Sequence, residues 1–172
     1  MKLNLREIIL FGLLGAMMFA SKLIMEVFPN VHLLALFIVT QTVVFRQKAL
    51  YPIYVFVFIT GLYGGFAPWW VPYLYVWTLL WGAVMLLPRK MPQWLTPFVY
   101  ATVAALHGFL FGVLYAPAQA FLYHWNLEKM IAWVVAGLPF DLLHGVSNLV
   151  VCGLLVLPFV RLLDRLKKQY RI

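Results

Sequence analysis

Lysine and arginine punctuate the apolar runs of this chain, and their spacing limits its fold more than any other feature. Eleven of the 13 basic residues fall into four groups: Lys2 and Arg6; Arg46 and Lys48; Arg89 and Lys90; and Arg161, Arg165, Lys167, Lys168 and Arg171. Only Lys22 and Lys129 stand apart. The stretches between groups are long enough to cross a bilayer and return, so all four groups would share one side. Short loops rich in Lys and Arg stay cytoplasmic. The pattern predicts a polytopic membrane protein with both termini in the cytoplasm.

Composition forces the same solvent. Hydrophobic residues make up 65% of the chain, charged residues 10%, and mean hydropathy is +0.94, far from the balance of a water-soluble domain. In lipid every backbone N–H and C=O must be satisfied within helices or a closed barrel. The runs are too continuously apolar for the alternation of a barrel, so the fold class is an all-α transmembrane bundle. The formal charge of +8 is absorbed by the positive-inside pattern and gives no reason to invoke nucleic acid. Cys152, the single cysteine, excludes an internal disulfide and reads as a small buried hydrophobe. The first apolar run has no small-residue cleavage site and continues into Lys22 and Glu26, so no cleavable signal is expected.

Six spans are expected within a single domain covering residues 1–172. They run over about Glu7–Phe28, closed by Pro29-Asn30, then Val31–Phe45, Ala49–Tyr63, Trp69–Leu87, Trp94–Tyr115, and a last one to Leu163 that Asp141 can cap. The second is short for a bilayer and calls for tilt or local thinning. Gly64-Gly65-Phe66-Ala67-Pro68 breaks the third from the fourth, and Ala116–Lys129 is polar enough to form the longest outside connection. A short apolar piece, Met130–Gly137, precedes the last span.

Polar residues inside spans are the candidates for function, because burying them costs several kcal/mol unless a partner or ligand compensates. Asp141, His144 and Asn148 share one helical face; the alternative role is capping by Asp141 with His144 and Asn148 bonded to neighbouring helices. Lys22 and Glu26 stand one turn apart near the outer end of the first span, where they can neutralise one another or face a ligand, and His32 follows just beyond. Tyr63, Phe66, Trp69, Trp70, Tyr73, Tyr75 and Trp77 crowd the third connection, with Tyr123 and Trp125 in the fifth. Most suit interfacial anchoring, but Trp69-Trp70 between Pro68 and Pro72 is dense enough to offer a stacking face to a planar heterocycle or a cation. Gly12, Ala16 and Ala20 line a small-residue stripe on the first span, serving either packing within the bundle or close approach of another helix; Gly61/Gly65 and Gly108/Gly112 repeat the spacing.

Enzymatic readings find little. His107, His144 and Asp141 can in principle meet as metal ligands, but no HExxH, no nucleophile–base pair and no GxxxxGK[ST] loop is present. No enzyme activity, cofactor or bound metal is expected, and energy for active transport has to come from a partner or an ion gradient.

Over essentially its whole length the chain resembles the substrate-specific S components of energy-coupling factor (ECF) transporters, bacterial membrane subunits that capture vitamins and related micronutrients. The resemblance rests on six spans with both ends inside, on Gly15-Ala16-Met17-Met18-Phe19-Ala20 with its AxxxA, and on Ala136-Gly137-Leu138-Pro139-Phe140-Asp141-Leu142-Leu143-His144-Gly145-Val146-Ser147-Asn148. It implies that Ala16 and Ala20, extended by Gly12, dock on a transmembrane coupling subunit that carries two cytoplasmic ATPases. It further implies a ligand held near the outer face, beneath the loop after the first helix, and delivered when the loaded subunit topples within the plasma membrane.

Nickel and cobalt members carry a His directly after the initiating Met, where this chain has Lys2, so a metal substrate is disfavoured. The Trp, Tyr and few polar residues favour an organic ring compound, with Lys22, Glu26, His32, Trp69, Trp70, Asp141, His144 and Asn148 as the candidate binding set. The competing reading is a self-sufficient secondary carrier, its ion coupling housed in Asp141, His144, Lys22 and Glu26.

Overall fold

The computed structural model describes residues 3–28 and 30–170; Lys2, Pro29 and Arg171 lie outside them. The described residues form no strand. Their α-helices are α1 (Leu5–Ile24), α2 (Leu34–Phe45), α3 (Leu50–Gly64), α4 (Tyr73–Leu86), α5 (Thr96–Phe109), α6 (Phe111–Leu122) and α7 (Leu127–Gln169). With the short 3-10 turns that join them, they make five stretches long and apolar enough to cross a membrane: Leu5–Val27, Leu34–Gly64, Pro68–Leu86, Thr96–Leu122 and Leu127–Gln169.

Side-chain N-caps begin the first and last of these helices, α1 and α7. Asn4 caps α1 through a reciprocal pair, accepting from Glu7 N at 2.9 Å and donating its own N–H to Glu7 Oε2 at 3.1 Å. The other Glu7 oxygen accepts from Lys48, tying the start of α1 to the start of α3. Arg46 ends α2 in a left-handed conformation, φ 55° and ψ −120°, and the chain reverses there. Four long-range bonds gather one end of the bundle: Glu7–Lys48, Arg6 Nη1 to Tyr170 O at 3.3 Å, Arg46 Nη2 to Met85 O at 3.0 Å and Lys167 Nζ to Val44 O at 3.0 Å. The start of α1 and the end of α7 therefore lie together, among basic side chains.

The centre belongs to α2. Residues Leu34–Thr42 are buried without interruption, which a helix surrounded by other helices requires. Thr40 and Thr42 return their hydroxyls to Leu36 O and Ile38 O at 2.7 and 2.6 Å, whereas neither amide atom of the buried Gln41 has a partner. The inward face of α1 reads Phe11, Leu14, Gly15, Met18, the three-and-four spacing of one helical face.

The C-terminal third departs from the sequence expectation. Ala116, Pro117 and Gln119 lie inside α6, so the expected long outside connection shrinks to Tyr123–Asn126. Asn126 caps the next helix by accepting from Lys129 N at 2.9 Å, and α7 then runs unbroken for 43 residues through Pro139 and Pro158. Asp141 is interior to that helix and caps a different one. The chain breaks at Leu110 between α5 and α6, freeing first-turn N–H groups of α6, and Asp141 Oδ2 accepts from Gly112 N at 3.0 Å. A carboxylate at a helix N-terminus also meets the favourable end of its dipole.

Small residues permit two of the closest helix approaches. A Cβ on Gly108 would stand 2.8 Å from Gly145 Cα, and one on Gly15 would stand 2.8 Å from Pro52 O. Gly12 is half-buried but leaves room for a Cβ, and Ala16 and Ala20 are exposed, so the stripe faces outward from the described bundle. Gly108→Ala is therefore expected to cost about 1–3 kcal/mol through overpacking, while Gly12→Ala leaves stability unchanged or slightly raised. Thermal unfolding of the detergent-solubilised protein distinguishes the two.

Candidate functional site

At the end of the bundle opposite the basic cluster lies a pocket of about 250 Å³. Its roof is the segment after α1, where Met25–Val27 tightens into a 3-10 turn and Phe28 N returns to Met25 O at 2.9 Å. Asn30 follows with φ 57°, a left-handed position that asparagine tolerates better than most residues. Ser147 Oγ on α7 donates to His144 O of its own helix at 2.9 Å and stands 3.4 Å from Asn30 O of the roof.

The walls are aromatic. Tyr73 and Trp77 come from α4, Phe111 from the first position of α6, and His144 from α7, with His32 facing them from the roof. Trp77 is 1% exposed and sits among His32, Phe56, Tyr73, His107 and Phe111 at ring-centroid distances of 5.5–6.2 Å. His32 and His144 meet edge to face at 4.6 Å. Behind Trp77, His107 Nε2 lies 3.0 Å from Val76 O.

Three buried polar atoms of the residues around this space lack any hydrogen-bond partner among the described residues: Trp77 Nε1, His32 Nδ1 and His144 Nε2. The indole can only donate, while each imidazole nitrogen donates or accepts according to its tautomer. The set suits a compact ring bearing at least one acceptor. Opposite charges border it, because Lys22 and Glu26 also line the pocket. These two do not neutralise one another: the one ion pair within 4.0 Å among the described residues is Lys48–Glu7. The physical reason is that α1 ends at Ile24, so Glu26 lies in the 3-10 turn and is not one α-helical turn above Lys22.

Of the residues singled out from sequence, Lys22, Glu26, His32 and His144 converge here. Four others sit elsewhere. Trp70 Nε1 donates to Val57 O at 2.8 Å and its ring meets the Phe66 ring edge-on. The Trp69 ring stands against Tyr73 at 5.9 Å and its carbonyl accepts from Tyr115. Asp141 serves α6, and Asn148 Nδ2 donates to Ala104 O of α5 at 3.1 Å. Asp141, His144 and Asn148 do share the buried face of α7, but only His144 opens on the pocket. Tyr73, Trp77 and Phe111 were not picked out as ligand contacts. The i, i+4 spacing Tyr73–Trp77 carries part of the missing signal, placing that pair on one face of α4; nothing local marks Phe111, which follows the Leu110 break. No group of three His, Cys, Asp or Glu able to hold a metal ion occurs among the described residues.

His32 lies in the loop between helical stretches, and burial, with His107 and Lys22 nearby, holds its pKa down to about 4. The unfolded chain thus takes up its proton first, near the ordinary value of about 6.5. The stabilising contribution of neutral His32 is complete above that value and is lost as pH falls from 6.5 towards 4. A fall of about 1–3 kcal/mol in stability over this window is expected, smaller in His32→Gln, as read by thermal unfolding against pH. Comparison with protein-family models, curated proteins and solved structures finds no match to this chain.

Proposed function

We propose that this chain is the membrane-embedded substrate-binding subunit of an ECF-type importer in a bacterial cell membrane, taking up a small organic ring compound of the vitamin or micronutrient class. The observation that carries the reading is the set of three unpaired buried polar atoms around one aromatic-walled space. Buried polar groups are almost always hydrogen-bonded, and here the missing partner is the cargo. A space of about 250 Å³ falls below the usual range of roughly 300–1,000 Å³ for drug-sized ligands, which favours a compact molecule.

The topology in this proposal is six passes with both termini cytoplasmic. The reversal at Arg46 supports counting Leu34–Gly64 as two passes, and the bond from Arg6 to Tyr170 is in keeping with ends on a common side. The two passes are short: 12 and 15 residues rise only about 18 and 22 Å, less than the roughly 30 Å of a hydrocarbon core. The outward stripe of Gly12, Ala16 and Ala20 supports docking on a transmembrane coupling subunit bearing two cytoplasmic ATPases, with the loaded subunit reorienting as a body to release its cargo inwards. The chain itself catalyses no reaction in this scheme. A secondary carrier would house its ion coupling in Asp141, His144, Lys22 and Glu26; Asp141 is engaged with Gly112 N, away from the pocket, whereas the other three line it.

Native mass spectrometry of the protein purified from its native membrane is expected to show a retained small molecule. His144→Ala and Trp77→Phe are each expected to reduce its retention about 10- to 100-fold, the effect of one lost buried hydrogen bond. Ala16→Trp should leave retention intact and abolish uptake in vesicles holding the partner subunits. Full retention in both pocket variants would sink the site, and cargo accumulation by this chain alone in ion-loaded vesicles would replace the importer with a carrier.

A further inference from the structure

The basic end of the bundle holds a second recess that the import scheme leaves unused. Arg46, Lys48, Arg89 and Lys167 line it with Glu7, around a space of about 460 Å³. Four cationic side chains thus face one carboxylate, and that carboxylate is already bonded to Lys48. Arg46 Nε is buried without a partner, although the same guanidinium reaches Met85 O. Among the described residues Arg89 is exposed and makes no ion pair.

Adjoining this recess is an open apolar groove between α3 and α4, of about 830 Å³, lined by Leu50, Tyr54, Val55, Phe58 and Trp81 and sharing Gln47 with the basic recess. Trp81 joins the two spaces, because its Nε1 donates to Arg46 O at 3.1 Å. From Leu50 to Phe58 the groove climbs α3 by about 12 Å, away from the charges and along the direction a lipid tail takes. The Arg46 backbone, at φ 55° and ψ −120°, occupies a region that favours glycine and costs a residue with a Cβ about 1–3 kcal/mol. An arginine kept at such a position points to a task for its guanidinium.

We propose that this composite site binds one anionic phospholipid, its phosphate in the Arg46–Lys48–Arg89–Lys167 recess and an acyl chain in the α3–α4 groove. Charge complementarity selects the anionic headgroup, and basic recesses between membrane helices favour such lipids. The site lies at the far end of the bundle from the cargo pocket and does not depend on what that pocket holds.

The test uses the full chain reconstituted in vesicles of mixed phosphatidylglycerol and phosphatidylcholine, then extracted for native mass spectrometry of its bound lipid. Retention of phosphatidylglycerol is expected to exceed that of phosphatidylcholine, and Arg46→Gly and Arg89→Gln should each lower the preference about fivefold, the effect of removing one cation near an anionic lipid. Arg46→Gly relieves the left-handed backbone but loses the bond to Met85 O, so its unfolding temperature is free to move either way, whereas Arg89→Gln alters an exposed side chain and is expected to keep the wild-type value; if Arg46→Gly fails to fold, Arg89→Gln alone decides. Equal retention of the two lipids, or a preference untouched by the substitutions, overturns the proposal. Displacement of the lipid by soluble glycerol phosphate also overturns it, because the acyl groove would then contribute nothing.

Discussion

Trp77 is the side chain on which bundle and pocket jointly depend. Its ring fills the space where α4 meets the roof, α3, α5 and α6, touching His32, Phe56, His107 and Phe111. Its Nε1 stays without a partner. Ordinary core packing would avoid an unpaired buried donor, because leaving one costs about 1–3 kcal/mol. A phenylalanine would pack there without that penalty, and in the proposed function the cargo answers the indole N–H; the equally unpaired Gln41 amide lies in α2, outside the pocket lining.

Interruptions of the helices supply the remaining polar geometry. Each break releases backbone groups that lipid cannot satisfy, and at two of them a specific side chain meets one. Asp141 takes the Gly112 N–H at the Leu110 break, and the Trp81 indole takes the Arg46 carbonyl at the α2–α3 reversal. The early end of α1 at Ile24 frees the segment that roofs the pocket. Polar residues inside this bundle therefore divide into those that mend the backbone and those with no partner among the described residues, and sequence position alone does not separate the two.

That division explains what was legible in the sequence. Apolar run length and the placement of Lys and Arg were enough for helical stretches of membrane-crossing length and for the meeting of Arg6, Arg46, Lys48 and Lys167 at one end. Lys22, Glu26, His32 and His144 could be singled out because charge and imidazole are conspicuous against lipid-soluble neighbours. Trp77 was hidden among many aromatics, and the Trp69-Trp70 pair drew attention through adjacency, which in a helix sends neighbouring side chains in different directions. Asp141 misled because a carboxylate after a proline looks like a helix start, and nothing local reveals that a neighbouring helix needs it more. The unbroken course of α7 through Pro139 has the same cause: tertiary contacts decide whether a proline ends a helix or is carried within it.

The length of α7 has a mechanical consequence. At 43 residues it is a rod of about 65 Å, roughly twice the thickness of a hydrocarbon core, and it is built into both ends of the molecule through His144 and Lys167. These two side chains are separated along the axis by about 35 Å. Swinging such a lever by about 30° about its basic end would carry the chamber at the other end through about 18 Å, a distance set by the same helical rise. For a rod standing near the membrane normal that shift is almost wholly sideways, and the chamber changes depth by only about 5 Å, so a larger tilt of the whole bundle is what carries it across.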